Sequence, residues 1–190
     1  MATEVSDVRR ELILGGQKSG KSRRGELLAA AWLGRSHAHR AVLIATAEAH
    51  DDEMRARIAR HRADRALRVP GLATVEEPRE LAQAIRAQAA PQTLLVVDCL
   101  TLWLTNLMMP VAGTAGDVEG AIEALVTELG AAAGPLVLVG NEIGLGVIPM
   151  GREVRAFVDA LGTLNQRVAA ACDRVTLMAA GLPLFLKEPR

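Results

Sequence analysis

Eight residues near the start of the chain restrict its fold more than any other stretch. Gly15-Gly16-Gln17-Lys18-Ser19-Gly20-Lys21-Ser22 matches G-x-x-x-x-G-K-[ST], and it joins an apolar run, Glu11–Leu14, to a helical stretch, Lys21–Leu33. Small residues let successive backbone N–H groups converge on one phosphate cluster, and the helix N-terminus adds partial positive charge there. In such a cradle Lys21 reaches the β- and γ-phosphates, and the Ser22 hydroxyl is a ligand for Mg²⁺. The strand before the turn needs a sheet around it, so the motif already asks for an α/β fold.

The rest of the chain supplies that sheet. Candidate strands are Glu11–Leu14, Ala41–Ala45, Leu94–Val97, Leu136–Val139, Val175–Met178 and Leu184–Leu186. Candidate helices are Lys21–Leu33, Asp51–Leu67, Arg79–Gln88, Val118–Leu129 and Arg152–Ala171. Leu94-Leu95-Val96-Val97 and Leu136-Val137-Leu138-Val139 are apolar on both sides, as central strands covered by helices on both faces must be. In the last helix Val154, Val158, Leu161, Leu164 and Val168 recur at three- and four-residue steps and predict one buried face. The alternation predicts a mostly parallel sheet with right-handed crossovers. The two C-terminal runs, separated by Ala180-Gly181-Leu182-Pro183, predict a closing hairpin. Met108–Asp117, with Pro110, Gly113 and Gly116, reads as a loop within the domain. A length of 190 residues suits a single domain over 1–190, with 1–8 a flexible N-terminus.

Composition removes several function classes. The 22 basic and 22 acidic residues cancel, whereas a general nucleic-acid binder needs excess Lys and Arg to displace counterions. There is no Tyr, and two Phe and two Trp give few platforms for stacked bases. No apolar run approaches the ~20 residues that span a bilayer, and the polar first residues do not resemble a secretory signal. Cys99 and Cys172 show no CxxC spacing, so neither a disulfide framework nor a zinc site is expected. The expectation is a soluble cytoplasmic protein that binds neither nucleic acid nor membrane.

A second acidic element is expected at the end of another strand. Asp98, after four apolar residues, supplies a carboxylate able to share the Mg²⁺ with Ser22, and Cys99 beside it reads as a small buried residue. Between Asp51-Asp52-Glu53 and Arg60-His61-Arg62-Ala63-Asp64-Arg65 lies a helix with acid at its start and base at its end. Met54 and Ile58 mark its buried face, which places His61 at the edge of that face, flanked by Arg57 and Arg65. An imidazole among guanidiniums is favoured as the neutral, nucleophilic form. Spacing alone is met more simply by a solvated basic helix with an incidental histidine. His37, His39 and His50 take no role.

Together these motifs resemble one family, the bifunctional adenosylcobinamide kinase/adenosylcobinamide-phosphate guanylyltransferases of vitamin B12 synthesis. The matching stretches are GGQKSGKS (Gly15–Ser22), LIATAEAHDDEMRARIARHRADR (Leu43–Arg65), TVEEP (Thr74–Pro78), VVDCLTLWLTNL (Val96–Leu107), NEIGLGVIP (Asn141–Pro149) and LGTLNQRVAAACDRV (Leu161–Val175). The resemblance implies a P-loop fold akin to the RecA-like ATPases, a homotrimer, and two reactions on one corrinoid. A nucleoside triphosphate, ATP or GTP, phosphorylates the aminopropanol hydroxyl of adenosylcobinamide. GTP then guanylylates that phosphate through a histidine-bound GMP, releasing pyrophosphate. By residue matching, His61 carries the GMP. Nucleotide contacts fall on Gly15–Ser22 (Gly15, Gly16, Gln17, Lys18, Ser19, Gly20, Lys21 and Ser22), on Thr46, Ala47 and Glu48, on Arg62, Ala63, Asp64 and Arg65, and on Glu76 and Asp98. Lys21 is catalytic in both steps, and Glu142, beside Asn141 at a strand end, is a candidate to orient or deprotonate the substrate hydroxyl. A structural role for Glu142 fits the sequence equally well.

Two positions depart from the family's pattern. Lys18 stands where Arg is usual in the cradle, and Phe157-Val158-Asp159 replaces Phe-Arg-Asp. Three other readings compete. A P-loop kinase of a small metabolite leaves His61 idle. A GTP-binding switch lacks its Asn-Lys-x-Asp element here. A dinucleotide oxidoreductase meets Pro149 where the third fingerprint glycine would fall.

Overall fold

The computed structural model describes residues 8–49, 52–147 and 149–189. In chain order the elements are β1 (Arg10–Gly15), α1 (Lys21–Leu33), β2 (Arg40–Ala45), α2 (Asp52–Arg68), β3 (Leu72–Glu76), α3 (Leu81–Gln88) and β4 (Thr93–Asp98). They continue with α4 (Leu100–Met108), α5 (Val118–Ala131), β5 (Leu136–Val139), α6 (Arg152–Ala171), β6 (Arg174–Ala179) and β7 (Leu182–Lys187). The seven strands form one sheet in the order β3-β2-β4-β5-β1-β6-β7. Every pairing is parallel except β6 with β7.

Strand alternation sorts the core into two halves. Leu12, Leu14, Val42, Ile44, Leu95, Val97, Leu136 and Leu138 pack with buried residues of α3, α4, α5 and α6. The intervening Ile13, Ala41, Leu43, Leu94, Val96 and Val137 pack on the other face against α1 and Val69. Side chains of successive strand residues point to opposite faces, so strands apolar throughout require helices on both. The predicted α/β class, the helices on both faces and the closing hairpin are all present.

Four expectations need correction in detail. β3 was not anticipated: it pairs only with β2, and its residues are exposed or half-buried, so no apolar run announces it. α4 was also not anticipated, because CLTLWLTNL follows an apolar strand without a polar break. Its buried Leu100, Trp103, Leu104 and Leu107 nonetheless keep helical spacing. The hairpin turn is only Ala180-Gly181, with φ of 52° and 80°, so Leu182 and Pro183 belong to the edge strand. Finally, the apolar face of α6 is buried only from Leu161 onward, and Val154 is exposed because the helix start extends past the core.

Candidate functional site

β1 ends at Gly15 and α1 begins at Lys21, so the glycine turn lies at the C-terminal edge of the sheet. A Cβ on Gly15 would lie 2.5 Å from the Met178 carbonyl oxygen and 2.6 Å from Ser19 Oγ, which only glycine avoids. Gly20, at φ 101°, caps α1 in the left-handed region. The Gly181 N–H donates to the Ser19 carbonyl at 3.0 Å, so the C-terminal hairpin props the turn from the side. Gly16, Gln17 and Lys18 form its exposed rim, and Lys18 has φ 54°. Lys21 is buried, and its Nζ donates to the Gly16 carbonyl at 2.6 Å and lies 3.5 Å from Ser19 Oγ. Burial holds its ammonium below the ordinary lysine range, partly offset by Cys99 and Asp98.

Asp98 ends β4, two strands from β1, with β5 between them. The Ser22 hydroxyl donates to Asp98 Oδ1 at 3.3 Å, and Arg65 Nη1 lies 3.7 Å from Oδ2. A hydroxyl beside a carboxylate is a hard oxygen pair of the kind Mg²⁺ accepts when waters and phosphates complete its shell, so these residues fit that ion. β5 places Glu142 in the interval. The Gly140 N–H donates to the Ile13 carbonyl and the Glu142 N–H to the Gly15 carbonyl, at 3.0 and 3.2 Å. The Glu142 carboxylate, half-buried, accepts the Gly144 N–H at 2.9 Å.

α2 meets this edge through charge. Arg65 is buried against Asp98, Arg68 bonds Glu26 at 2.7 Å and Asp64 at 3.2 Å, and Arg62 pairs with Glu76 at the end of β3. Burial raises the Glu26 carboxyl above its ordinary range, with Arg68 and then Arg65 pulling it back. His61 is exposed, and so are Arg62, Ala63 and Asp64. This corrects the placement of His61 at the edge of a buried face. Met54 and Ile58 are only half-buried, and the residues that sink from this segment are Arg65 and Val69. Arg65 therefore turns toward Asp98 instead of flanking the imidazole, and the Arg57 side chain lies outside the described residues. So do His50 and Asp51. His39 stacks on Trp32 with ring centroids 3.9 Å apart.

Thr46 is fully buried. Its hydroxyl accepts the Cys99 N–H and donates to the Cys99 carbonyl, both at 2.8 Å. The side chain thus joins the ends of β2 and β4, while Ala47 and Glu48 lead outward half-buried. Glu48 lines an open cleft of about 290 Å³ with Ala49, Arg79, Pro110, Val111 and Ala112.

With a glycine turn, a hydroxyl–carboxylate pair and a helix of cations at one sheet edge, the comparisons with known proteins become decisive. Residues 11–186 match the family described as cobinamide kinase / cobinamide phosphate guanyltransferase. The chain belongs to this family. It is 48% identical over 182 residues to the bifunctional adenosylcobalamin biosynthesis protein CobP of Pseudomonas aeruginosa, covering 95% of this chain and 99% of that protein. It is 36% and 34% identical to the bifunctional adenosylcobalamin biosynthesis proteins CobU of Escherichia coli and Salmonella typhimurium, each time covering 93% of this chain and 98% of the relative. Among solved structures, the flagellar accessory protein FlaH from Methanocaldococcus jannaschii superposes with a TM-score of 0.53 at 11% identity, covering 95% of this chain and 79% of that one. That likeness supports the P-loop fold alone.

The same sheet edge contains residues that sequence reasoning passed over. Asn106 donates to the Thr46 carbonyl at 2.7 Å and to the Pro78 carbonyl at 3.0 Å. Thr101 Oγ1 accepts the Asn141 N–H at 2.9 Å. Glu26 and Arg68 tether α2 to α1. Asn106 and Thr101 are polar residues within the apolar face of a helix, and that pattern is visible in VVDCLTLWLTNL once α4 is recognised. Nothing in the sequence pairs Glu26 with Arg68, which lie 42 positions apart.

Proposed function

We propose that this chain phosphorylates the aminopropanol hydroxyl of adenosylcobinamide with ATP or GTP. It then transfers GMP from GTP to adenosylcobinamide phosphate, yielding adenosylcobinamide-GDP and pyrophosphate. The observation that carries this reading is the convergence of the Gly15–Ser22 turn, Asp98 and Glu142 at one sheet edge, with the helix bearing His61 tethered there through Arg65.

In the kinase step the substrate oxygen attacks the γ-phosphorus, and Glu142 takes the hydroxyl proton as the nucleoside diphosphate leaves. Lys21 and the backbone N–H groups of Gly15–Ser22 hold the triphosphate. In the transferase step a neutral His61 nitrogen attacks the α-phosphorus of GTP, the P–N bond forms and pyrophosphate departs. The phosphate oxygen of the corrinoid then attacks the same phosphorus and releases the imidazole. Arg62 and Arg65 offset the charge on the phosphates, while Ala47, Glu48, Glu76, Ala63 and Asp64 line the approach in front of the buried Thr46. Ser22 and Asp98 would hold Mg²⁺, which when bound draws negative charge off the phosphate oxygens.

The working form in this reading is a homotrimer in the cytoplasm. Exposed Leu145, Val147, Met150 and Val154 give a copy of the chain apolar surface to cover, and among the described residues no helix is long and apolar enough to cross a membrane.

The test is covalent labelling. Protein incubated with α-labelled GTP and Mg²⁺ becomes labelled through an acid-labile, alkali-stable bond, and His61→Asn abolishes the label. Label persisting in that variant removes His61 from its role, whereas a parent protein that takes no label leaves a kinase of a small metabolite as the surviving reading.

A further inference from the structure

Asn165 interrupts an apolar stripe. α6 buries Leu161, Leu164 and Val168 beside it, and Asn165 itself is only 5% exposed. A buried amide is tolerated where its donors and acceptors find partners. Its Nδ2 donates to the Asn141 carbonyl at 3.1 Å and lies 3.5 Å from Glu142 Oε2. Its Oδ1 is buried without a partner. The amide orientation follows, because turning it over would set an oxygen against two acceptors. An unpartnered oxygen makes this residue less favourable for stability than an aliphatic one. Its retention is therefore explained by what it touches.

Both acceptors belong to Asn141 and Glu142, the second and third residues after β5, between the glycine turn and Asp98. Five contacts pin this pair: the Asn141 N–H on Thr101, the Glu142 N–H on the Gly15 carbonyl, the Gly144 N–H on Oε1, and the Asn165 amide on the Asn141 carbonyl and toward Oε2. Among the described residues, Asn165 is the one side-chain donor facing the Glu142 carboxylate. We infer that Asn165 is a positioning residue specific to the kinase half: it fixes the carboxylate of Glu142 where the substrate hydroxyl delivers its proton. This rests on the reading of Glu142 as the proton acceptor. Without the amide, the carboxylate rotates away from the attack line, while His61, on α2, keeps its surroundings.

The test compares Asn165→Asp, which keeps the shape but replaces the donor with an oxygen, and Asn165→Leu, which keeps the helix face apolar. Each is combined with Glu142→Gln. Phosphorylation of adenosylcobinamide from γ-labelled ATP and guanylylation of supplied adenosylcobinamide phosphate from α-labelled GTP are measured separately, beside thermal melting. Kinase kcat is expected to fall about 10–100-fold with KM changed by less than about threefold, since loss of orientation acts on the chemical step. Guanylyl transfer by both variants and the melting temperature of Asn165→Leu stay near those of the parent, whereas Asn165→Asp, which sets an oxygen against two acceptors, melts lower. The double variants are no slower than Glu142→Gln alone, because residues acting as one unit are not additive. If both activities and the melting temperature of Asn165→Leu fall together, or if the double variants lose the product of the single effects, Asn165 is a structural prop and the inference is overturned. If Glu142→Gln is slow while both Asn165 variants keep the parent kinase rate, the inference alone falls. If Glu142→Gln itself keeps the parent rate, the role of Glu142 falls and takes the inference with it.

Discussion

Thr46→Val tests whether the segment after β2 touches nucleotide through this side chain or serves to hold the site together. Valine has almost the same shape, so packing changes little, but the hydroxyl between Cys99 N and Cys99 O is lost. The Cys99 carbonyl still accepts the Trp103 N–H at 3.1 Å, whereas no other acceptor faces the Cys99 N–H among the described residues. Losing one net hydrogen bond costs about 0.5–1.5 kcal/mol, and an orphaned buried N–H about 1–3 kcal/mol. The extra methyl group returns roughly 0.8 kcal/mol of apolar burial. The net destabilisation is about 1–4 kcal/mol, or a fall of roughly 2–15 °C in Tm for a chain of this length. Thermal melting of the nucleotide-free protein, with KM for ATP and GTP measured below the new transition, separates the roles. A variant that melts within a degree of the parent but binds nucleotide poorly would refute the latch and assign the Thr46 hydroxyl to the ligand.

Two more outcomes follow from the same geometry. Lys21 carries a charge that burial disfavours, so Lys21→Gln should raise Tm of the nucleotide-free protein by about 2–4 °C for each kcal/mol of penalty removed, while abolishing stabilisation by ATP. Its folded pKa lies below the ordinary 10.5, so as pH rises toward that value the folded state releases the proton first and this group's contribution to stability increases. The variant should lose that upward slope in pH-dependent melting, and an unchanged slope would refute the assignment. α2 docks through Arg62–Glu76, Arg65–Asp98 and Arg68–Glu26, and partly exposed pairs contribute about 0.2–1 kcal/mol each before screening. Hydrogen exchange in 52–68 should therefore quicken about 5–30-fold between low and half-molar salt, with α5 unchanged, and equal responses would refute electrostatic docking.

What could be read from the chain in advance divides along physical lines. The turn from Gly15 to Ser22 is local, so its backbone and its position between β1 and α1 were both legible. The central strands were legible because burial on both faces leaves continuous apolar runs. β3 was not, since an edge strand with exposed residues carries no such run. Asp98 was recognisable as a strand-terminal carboxylate, but its approach to Arg65 spans a parallel crossover, and pattern alone does not assign partners across one. His61 shows the limit of helical periodicity. The Met54–Ile58 spacing predicted a shallow apolar face, yet the segment is anchored by a buried arginine and by Val69, past the helix end. Asn165 and Asn106 were available as polar intrusions on apolar helix faces, and only their contacts show what the intrusions are for.

The strand order explains how two reactions can share one glycine turn. Because β5 lies between β1 and β4, the residues leaving β5 enter the gap between the glycine turn and Asp98, and Glu142 is placed there by backbone bonding to Gly15. That position belongs to the sheet and is rigid, as suits a group that must meet a hydroxyl in line with a γ-phosphate. His61 belongs to a helix with few buried apolar residues, attached mainly through cations that phosphates also attract. If Arg65 and Arg62 hold nucleotide phosphates as proposed, those phosphates would compete with Asp98 and Glu76 for them, and the same ligand that fills the cradle would weaken the tethers of α2. With the roles proposed for Glu142 and His61, the kinase group is built into the scaffold, and the nucleotidyl-transfer group rides on the element whose docking the substrate would alter. A fold that carried both groups on rigid strands would have to hold the γ-phosphorus for one step and the α-phosphorus for the next at fixed attack distances from one cradle.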